Sequence, residues 1–361
     1  LTKRFLENRL AKARAGIYPL ANLFFFITMR CNAKCSHCFC WEDLNIGIPE
    51  PTLEQIDTMA RTIPKIRILI LTGGEPMLRR DMPEICDAFG KYGNVGEIKV
   101  NTNGLAPDKI EALATGFKAK YPETALNFQL SLDGLEATHD RIRGIPGNFE
   151  KVIRSLQIIY EMGRTMPLLT TDVLTVINAE NWHELDELNQ TLHERVGHGL
   201  NHGFELVRDV RTTAWNIPEA IRESGVGPKN MAAPPVESFP KIADALRKIN
   251  NRAPFKANPY IIHNLAQLKM LENGKPQFKC RVAGQAVGVI YSNGDVAACE
   301  FTKPFVNLAK YNHDFSALWH GPEATARRTQ ITGCHCIHGS FHGKAIEYSA
   351  LGLAKTAGLA L

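Results

Sequence analysis

Short apolar runs alternate with amphipathic stretches along the first 215 residues. The apolar runs predict six strands, at 23–28, 66–72, 97–101, 126–131, 168–176 and 203–208. The stretches between them have helical spacing, over about 52–61, 81–92, 107–118, 148–162 and 181–195. Thr52 and Gln55 form a capping box at the start of the first of these helices. Strands that alternate with helices of this length build a parallel sheet, so the pattern predicts an α/β fold with a partial (β/α)6 barrel.

The pattern changes after residue 215. Residues 216–240 hold five prolines and the Gly225–Gly227 pair, which predicts a linker or a loop over the barrel mouth. Helices are expected near 240–250 and 261–272, a hairpin turning at Asn293-Gly294 over 286–299, and a docked helix in the last twelve residues. We therefore expect five segments: an N-terminal helical extension (1–19), the barrel (20–215), a linker with helices (216–275), a small α+β domain (276–345) and a tail (346–361).

Composition and charge exclude several classes of protein. With 44% hydrophobic and 22% charged residues the chain is typical of globular proteins, which excludes global disorder. The net charge of +5 comes without a dense Lys/Arg run, so no nucleic-acid partner is expected. The most apolar run, 23–28, is far shorter than the roughly 20 residues that cross a bilayer. No secretory signal is recognisable, so we expect no membrane association and a cytoplasmic protein.

The nine cysteines are clustered, which in a chain without a signal favours metal binding over disulfides. Cys31-x3-Cys35-x2-Cys38 follows the first strand. Three thiolates on one short loop suit three corners of an iron–sulfur cluster, and the fourth iron stays open. Zinc is the alternative, because Cys40 would complete a set of four ligands.

This cysteine motif after a first strand resembles that of the radical S-adenosylmethionine superfamily, whose fold is a partial TIM-like barrel. The resemblance implies a [4Fe-4S] cluster whose open iron is chelated by the methionine part of S-adenosylmethionine. It also implies reductive cleavage to a 5′-deoxyadenosyl radical, which abstracts a substrate hydrogen. An external electron donor, such as flavodoxin or ferredoxin, is implied as well.

Further motifs follow the later strands. Thr72-Gly73-Gly74-Glu75-Pro76 ends the second strand and matches the motif that binds the methionine amine in this family. By the same resemblance, Asn103, Ser131 and Arg143 contact the ribose or carboxylate, Asp133 belongs to the same pocket, and His37 stacks near the adenine. All but His37 lie at or beyond the carboxyl ends of strands, which share one face of a parallel barrel. The alternative for each of these motifs is an ordinary turn, and for His37 a plain loop residue.

A second group of cysteines lies near the C-terminus. Cys280-x13-Gly294-x4-Cys299, followed by Cys334 and Cys336, resembles the SPASM or twitch extension of many of these enzymes. Four cysteines suffice for one auxiliary [4Fe-4S] cluster. Ser340 stands where another cysteine is expected, which leaves the ligand set open. The alternative is a zinc site that includes His335, His338 or His342. Cys86 is most simply a core residue, and Cys40 is either a core residue or part of the pocket.

The resemblance implies a radical enzyme of the oxidoreductase or isomerase type. Only about twenty residues precede the first strand, too few for a peptide-recognition domain, which favours a small-molecule substrate such as a sugar, alcohol or other metabolite. The alternatives are a maturase of ribosomal peptides and a non-enzymatic iron–sulfur or zinc protein in electron transfer or scaffolding.

Overall fold

The repeated strand–helix pattern forms the expected sheet. A computed structural model describes residues 6–10, 12, 16–209, 213–223, 227–228, 230–252, 259–274, 279–331 and 333–350. The first strands are β1 Asn22–Thr28, β2 Ile66–Gly73, β3 Val95–Thr102, β4 Ala125–Ser131, β5 Leu169–Ile177 and β6 Asn201–Leu206. The helices that follow are α1 Leu53–Thr62, α2 Met82–Tyr92, α3 Pro107–Lys120, α4 Glu136–Arg143, α5 Asn148–Gly163 and α6 Leu185–Arg195. The six predicted strands and five predicted helices are confirmed, whereas α4 was not predicted.

Strands β1 to β6 pair in parallel, in the order of the sequence. Alternate residues of each strand point to opposite faces. On one face of β3 and β4, Ile98, Val100 and Phe128 are fully buried in the core beneath the helices. On the other face, Lys99 and Gln129 face the barrel interior. Among the described residues β6 has no further strand beside it, so the ladder is open. The predicted partial barrel is confirmed.

The C-terminal segment continues this sheet. After the short strand β7 (Ala214–Trp215), strand β8 (Val287–Ile290) pairs in parallel with β1, and β9 (Asp295–Ala297) and β10 (Val306–Asn307) follow antiparallel. The predicted hairpin is therefore confirmed, and Gly294 has a positive φ of 88° in its turn. Strand β11 (His335–Cys336) pairs with β7. The sheet order is β10-β9-β8-β1-β2-β3-β4-β5-β6.

The remaining helices lie beyond β6 and around the C-terminal strands. Helices α7 (Phe239–Arg252) and α8 (Pro259–Asn273) confirm the expected helices there. Helices α9 (Phe315–His320), α10 (Pro322–Gln330) and α11 (Gly339–Glu347) were not predicted, and α11 packs on α8 and β6.

The structure describes only part of the two chain ends. In the predicted N-terminal extension, residues 6–10 and 12 are helical. The helix expected at the C-terminus lies outside the described residues, apart from Ala350, and the domain boundaries stay predictions. Within the described ranges, no helix combines the length and apolar character needed to cross a membrane.

Candidate functional site

A cavity of about 820 Å³ opens at the carboxyl ends of the strands and extends into the barrel. Its size lies within the usual range for small-molecule sites. Of the residues proposed from sequence, it is lined by Cys31, Cys35, His37, Cys38, Gly73, Gly74, Glu75, Asn103, Ser131 and Arg143. Asp133 and the four C-terminal cysteines do not line it. The structure therefore brings the first cysteine loop and the strand-end motifs to one wall.

The first cysteine loop is tied to the end of α4. The Lys34 N–H donates to the Arg143 carbonyl at 3.1 Å, and the Ser36 N–H donates to the Ile142 carbonyl at 2.9 Å. Burial raises the pKa of Cys31 to about 11. Burial also raises the pKa of Cys35, although the nearby Arg143 guanidinium opposes it. Thiols of this kind lose their protons readily only beside a positive centre, such as a metal. Cys31, Cys35 and Cys38 together line one cavity and fit the donor set of an iron–sulfur cluster.

The two glycines after β2 pack against the backbone of the chain that leads to this loop. Gly73 has a φ of 125°, and a Cβ atom there would lie 2.1 Å from the Thr28 carbonyl oxygen. A Cβ atom on Gly74 would lie 2.2 Å from the Arg30 carbonyl oxygen. The N–H groups of Gly74 and Glu75 donate to these same two carbonyls, each at 2.8 Å. Glycine is required here because backbone approaches backbone, in addition to any approach by a ligand.

The Glu75 carboxylate is buried and joins its own turn to the end of β3. Its Oε1 accepts hydrogen bonds from the Met77 N–H at 3.0 Å and the Thr102 hydroxyl at 2.8 Å, and its Oε2 accepts from the Asn103 N–H at 2.7 Å. Burial nevertheless raises the pKa of Glu75. A carboxylate offers about four acceptor positions. One position therefore remains for a donor inside the cavity.

Asp133 stands behind Arg143 and holds it in place. The Arg143 Nε donates to Asp133 Oδ2 at 2.6 Å, and Arg143 Nη1 lies 3.6 Å from the Cys35 sulfur. His37 Nε2 is 3.6 Å from the same Asp133 oxygen, and the Val176 N–H donates to Oδ1 at 2.9 Å. Burial alone would raise the pKa of Asp133, but the Arg143 charge lowers it below its ordinary value. Asp133 thus does not line the cavity itself but contacts two residues that do, Arg143 and His37.

Two further residues complete this wall. Ser131 lines the cavity at the end of β4. The Asn103 amide donates to the Asn32 side chain at 2.8 Å, and its oxygen accepts from the Leu105 N–H at 3.1 Å. Asn103 therefore links the β3 turn to the first cysteine loop.

The four C-terminal cysteines gather away from the cavity. They share one hydrophobic cluster, in which Cys299 is buried and Cys280, Cys334 and Cys336 are partly buried. The Cys280 N–H donates to the Cys334 carbonyl at 2.8 Å. A hydrogen bond from the Cys334 thiol lowers the pKa of Cys280 to about 7, whereas burial raises that of Cys336 to about 12. The four cysteines thus lie in one region of the structure, and their role as ligands stays a prediction.

The candidates for additional ligands in that region have other neighbours. The Ser340 hydroxyl donates to Glu205 Oε1 at 3.2 Å and lines the cavity. His338 bonds to Glu300 and Arg208, and the His342 ring lies 6.3 Å from that of His263. In the part of the chain that the structure describes, no three His, Cys, Asp or Glu side chains are arranged to hold a single metal ion.

A charged wall that was not predicted from sequence faces the cavity. Arg208, just after β6, donates from Nη1 to Glu205 at 3.0 Å and to His338 Nδ1 at 3.0 Å, and from Nη2 to Glu300 at 3.3 Å. Its guanidinium lies 4.4 Å from the centre of the Phe39 ring. We call Glu205, Arg208, Glu300 and His338 the charged wall. Glu205 and Arg208 are three residues apart, but Glu300 and His338 come from distant segments, so no local pattern reveals the charged wall.

Cys40 lies beside the third cysteine of the first motif. Its sulfur is 3.7 Å from that of Cys38, and it lines the cavity. Cys86 belongs to α2 and is fully buried in the core, as expected.

Comparison with known proteins gives a consistent family and fold. Residues 25–192 match the Radical SAM superfamily. An Fe-coproporphyrin III synthase of Methanosarcina barkeri is 30% identical over 173 residues, which are 46% of this chain and 40% of that protein. A probable GTP 3′,8-cyclase of Archaeoglobus fulgidus is 30% identical over 172 residues, 47% of this chain and 53% of that protein. The chain thus spans about half the length of these relatives.

The similarity of fold extends further along the chain. The crystal structure of Streptococcus suis SuiB matches with a TM-score of 0.62 at 15% identity, over 90% of this chain and 71% of SuiB. A structure of anSMEcpe with bound AdoMet matches with a TM-score of 0.57 at 14% identity, over 95% of this chain and 99% of that one. At these identities the matches establish the fold alone.

Proposed function

Since residues 25–192 match the Radical SAM superfamily, we propose that the protein is an enzyme of this superfamily that abstracts a hydrogen atom from a small molecule, such as a sugar, an alcohol or another metabolite. The family implies a [4Fe-4S] cluster and S-adenosylmethionine. When bound, the cluster supplies the electron that cleaves S-adenosylmethionine to a 5′-deoxyadenosyl radical. One observation carries the proposal: three cysteines of one loop and the strand-end polar groups line the same cavity.

In this proposal each side chain has a defined task. Cys31, Cys35 and Cys38 hold the cluster through thiolates, the ligands that such clusters require. Glu75 offers its remaining acceptor position to the ammonium group of S-adenosylmethionine, as a charge-assisted hydrogen bond. Arg143 is held by Asp133 at 2.6 Å and offers its other N–H groups to an anionic or polar atom in the cavity.

Asn103, Ser131 and His37 complete the cofactor pocket in this proposal. Asn103 and Ser131 offer hydrogen bonds to the ribose or carboxylate. His37 carries a buried imidazole on the same wall, and burial lowers its pKa to about 4. The ring is therefore neutral at pH 7 and suits contact with a neutral base such as adenine.

Apolar side chains exclude water from part of this cavity. Phe24, Phe26, Ile68 and Ile70 project into it from β1 and β2, and Leu174 from β5. A reactive radical needs such surroundings, because exclusion of water and fixed orientation prevent side reactions.

We further propose that Cys280, Cys299, Cys334 and Cys336 hold one auxiliary [4Fe-4S] cluster. Their gathering in one cluster of side chains supports this proposal. The charged wall stands beside them, because Glu300 follows Cys299 directly and His338 lies two residues after Cys336. A cluster with four protein ligands suits electron transfer or a structural role. An external donor such as flavodoxin or ferredoxin would supply electrons to the system.

The decisive test combines metal content with product analysis. The anaerobically reconstituted protein should bind about eight irons per chain and no zinc. Cys35→Ala should abolish formation of 5′-deoxyadenosine, while Cys86→Ala, which changes a buried core cysteine, should retain it. Candidate substrates carrying deuterium should transfer it to 5′-deoxyadenosine. Unchanged iron content and product yield in Cys35→Ala would refute the proposal.

A second candidate function is the maturation of a ribosomal peptide. Two of the similar structures, SuiB with precursor peptide SuiA and anSMEcpe with the Cp18Cys peptide, contain peptides, and their likeness covers 90% and 95% of this chain. Deuterium transfer from a labelled peptide, with none from any labelled metabolite, would favour this candidate.

A further inference from the structure

The basic side chains that line the cavity all have acidic partners. They are Arg67, Lys99, Arg143, Arg208 and Lys344. The Arg143–Asp133 distance is 2.6 Å and the Lys99–Asp172 distance is 2.7 Å. A polyanionic ligand needs cations that are not already neutralised. Among the described residues, every basic side chain of this cavity lining already faces a carboxylate, and Arg143 is assigned above to the cofactor.

In two further sets of charged side chains, the cations and carboxylates balance. Arg67 and Lys344 share Glu347, at 3.6 Å and 3.1 Å. Lys99 lies between Asp172 and Glu97, at 2.7 Å and 4.0 Å. Three cations therefore meet three carboxylates, and these two sets carry no excess charge.

The charged wall, in contrast, carries one negative charge in excess. Glu205 and Glu300 share the single cation Arg208, at 3.0 Å and 3.3 Å. His338 lies between Arg208 and Glu300, with its Nδ1 3.0 Å from Arg208 Nη1 and its Nε2 beside Glu300. A half-buried or buried carboxylate in excess favours a hydrogen-bond donor or a cation in the cavity.

Neutral amides supply a second polar surface. Asn101 of β3 and Gln129 of β4 are neighbours in the sheet, and both line the cavity. The Asn101 Oδ1 atom is buried and has no hydrogen-bond partner among the described residues. A buried acceptor of this kind is costly unless a ligand donates to it. The amides therefore suit hydroxyl or amide groups.

We propose that the cavity binds a substrate that is neutral or cationic and carries hydroxyl or amino groups, with one such donor on Glu205 and Glu300 and the rest of its polar groups on Asn101 and Gln129. This charge arrangement disfavours nucleoside triphosphates and polycarboxylates. This inference rests on the proposed function, because the ligand is a substrate only if the protein is an enzyme. The binding preference itself can be measured without any turnover.

The test is a binding screen on the full-length, anaerobically reconstituted protein with S-adenosylmethionine present. The probes are a metabolite library and matched sets of an amine, an alcohol and a phosphate ester on one carbon skeleton, such as glucosamine, glucose and glucose 6-phosphate. Thermal shift identifies binders and calorimetry gives their affinities. We expect amines and alcohols to bind more tightly than matched phosphates. A preference for anions, equal binding of all classes or no binder at all would overturn the proposal.

Variants locate the preference within the cavity. Glu205→Gln removes the excess charge and should lower the affinity for the best-binding amine by about tenfold to a hundredfold. The affinity for the matched alcohol should fall less. Gln129→Leu should weaken the alcohol about two- to tenfold. Glu347→Gln releases Arg67 and Lys344 and should strengthen binding of the phosphate. Unchanged affinities in Glu205→Gln, at an unchanged melting temperature, would contradict the assignment.

The same preparation separates the two proposals. Reductive cleavage of S-adenosylmethionine by the wild-type protein is measured beside the screen. If cleavage is absent while the charge preference is present, the proposed function fails and the binding inference stands. If cleavage is present but phosphates bind best, only the inference fails.

Discussion

The substitution Glu75→Gln should destabilise the protein even without a cofactor. The carboxylate joins its own turn to the end of β3 through bonds to Met77, Thr102 and Asn103. Glutamine can keep its oxygen toward Met77 and Thr102, but its NH2 group then faces the Asn103 N–H, so that two donors oppose each other. A hydrogen bond to a charged group contributes about 1.5–3 kcal/mol.

Part of this loss is offset. Burial raises the pKa of Glu75, so the native state bears a desolvation cost for the ionised carboxylate that the neutral amide does not. We therefore expect a net decrease of about 1–3 kcal/mol in the free energy of unfolding. Urea unfolding of the metal-free, reduced protein, followed by circular dichroism and by fluorescence, measures this change.

Two further variants make the measurement specific. Thr102→Val removes one donor to Oε1 but retains the charge, and should lower the free energy of unfolding by about 0.5–1.5 kcal/mol. Glu54→Gln changes an exposed glutamate in the first turn of α1 and should have an effect below about 1 kcal/mol. If Glu75→Gln unfolds at the same urea concentration as the wild type, the carboxylate does not join these segments. A fall in cofactor affinity would then report on the cofactor contact alone.

Four other predictions concern stability and metal content. Burial lowers the pKa of His202 to about 3, so below about pH 6.5 the unfolded chain binds a proton that the native state does not, and the free energy of unfolding decreases as the pH is lowered. His202→Gln should reduce this pH dependence by up to about 1.4 kcal/mol per pH unit in urea titrations between pH 7 and 5. An identical pH dependence in the variant would contradict the assignment. Asp133→Asn leaves the Arg143 charge buried and should cost about 3–5 kcal/mol, of which adding Arg143→Met should restore a part; an additive double variant would argue against the pairing. Thr52→Ala should cost about 1 kcal/mol by removing the capping box of α1, and thermal unfolding at the wild-type temperature would refute this. Cys299→Ala should lower the iron content by about four while cleavage of S-adenosylmethionine continues, whereas loss of one zinc instead would indicate a zinc site.

Periodicity predicted most of the barrel. The strands and helices up to α6 lie close to their expected positions, and the Thr52–Gln55 capping box is present as expected. Helix α4 was missed because it has only eight residues, and its buried positions include Thr138, His139 and Arg143. Polar residues in buried positions do not produce the apolar spacing on which such predictions depend.

The site was predictable only where its residues follow strands. The motifs around Glu75, Asn103 and Ser131 lie at strand ends, so the fold class indicates that they meet. Arg208, Glu300 and His338 come from three distant segments, and their contacts depend on how the C-terminal segment packs against β6. The pairing of β8 with β1 could not be predicted from the sequence either, because a short apolar run does not indicate its partner strand.

The pairing of β8 with β1 has a consequence for protein synthesis. All seven residues of β1 are buried in the native state, and one of its edges is covered by residues 265 positions later, Val287 opposite Asn22. At about 5–20 residues per second, the ribosome needs roughly 13–53 s to supply that cover. During this interval an apolar strand has a free edge, which invites pairing with another chain. Slower translation of the full-length chain keeps the β1 edge free for longer, and in a chain truncated before residue 287 this edge is never covered by β8. The yield of soluble protein should therefore depend on chaperones that shield nascent strands.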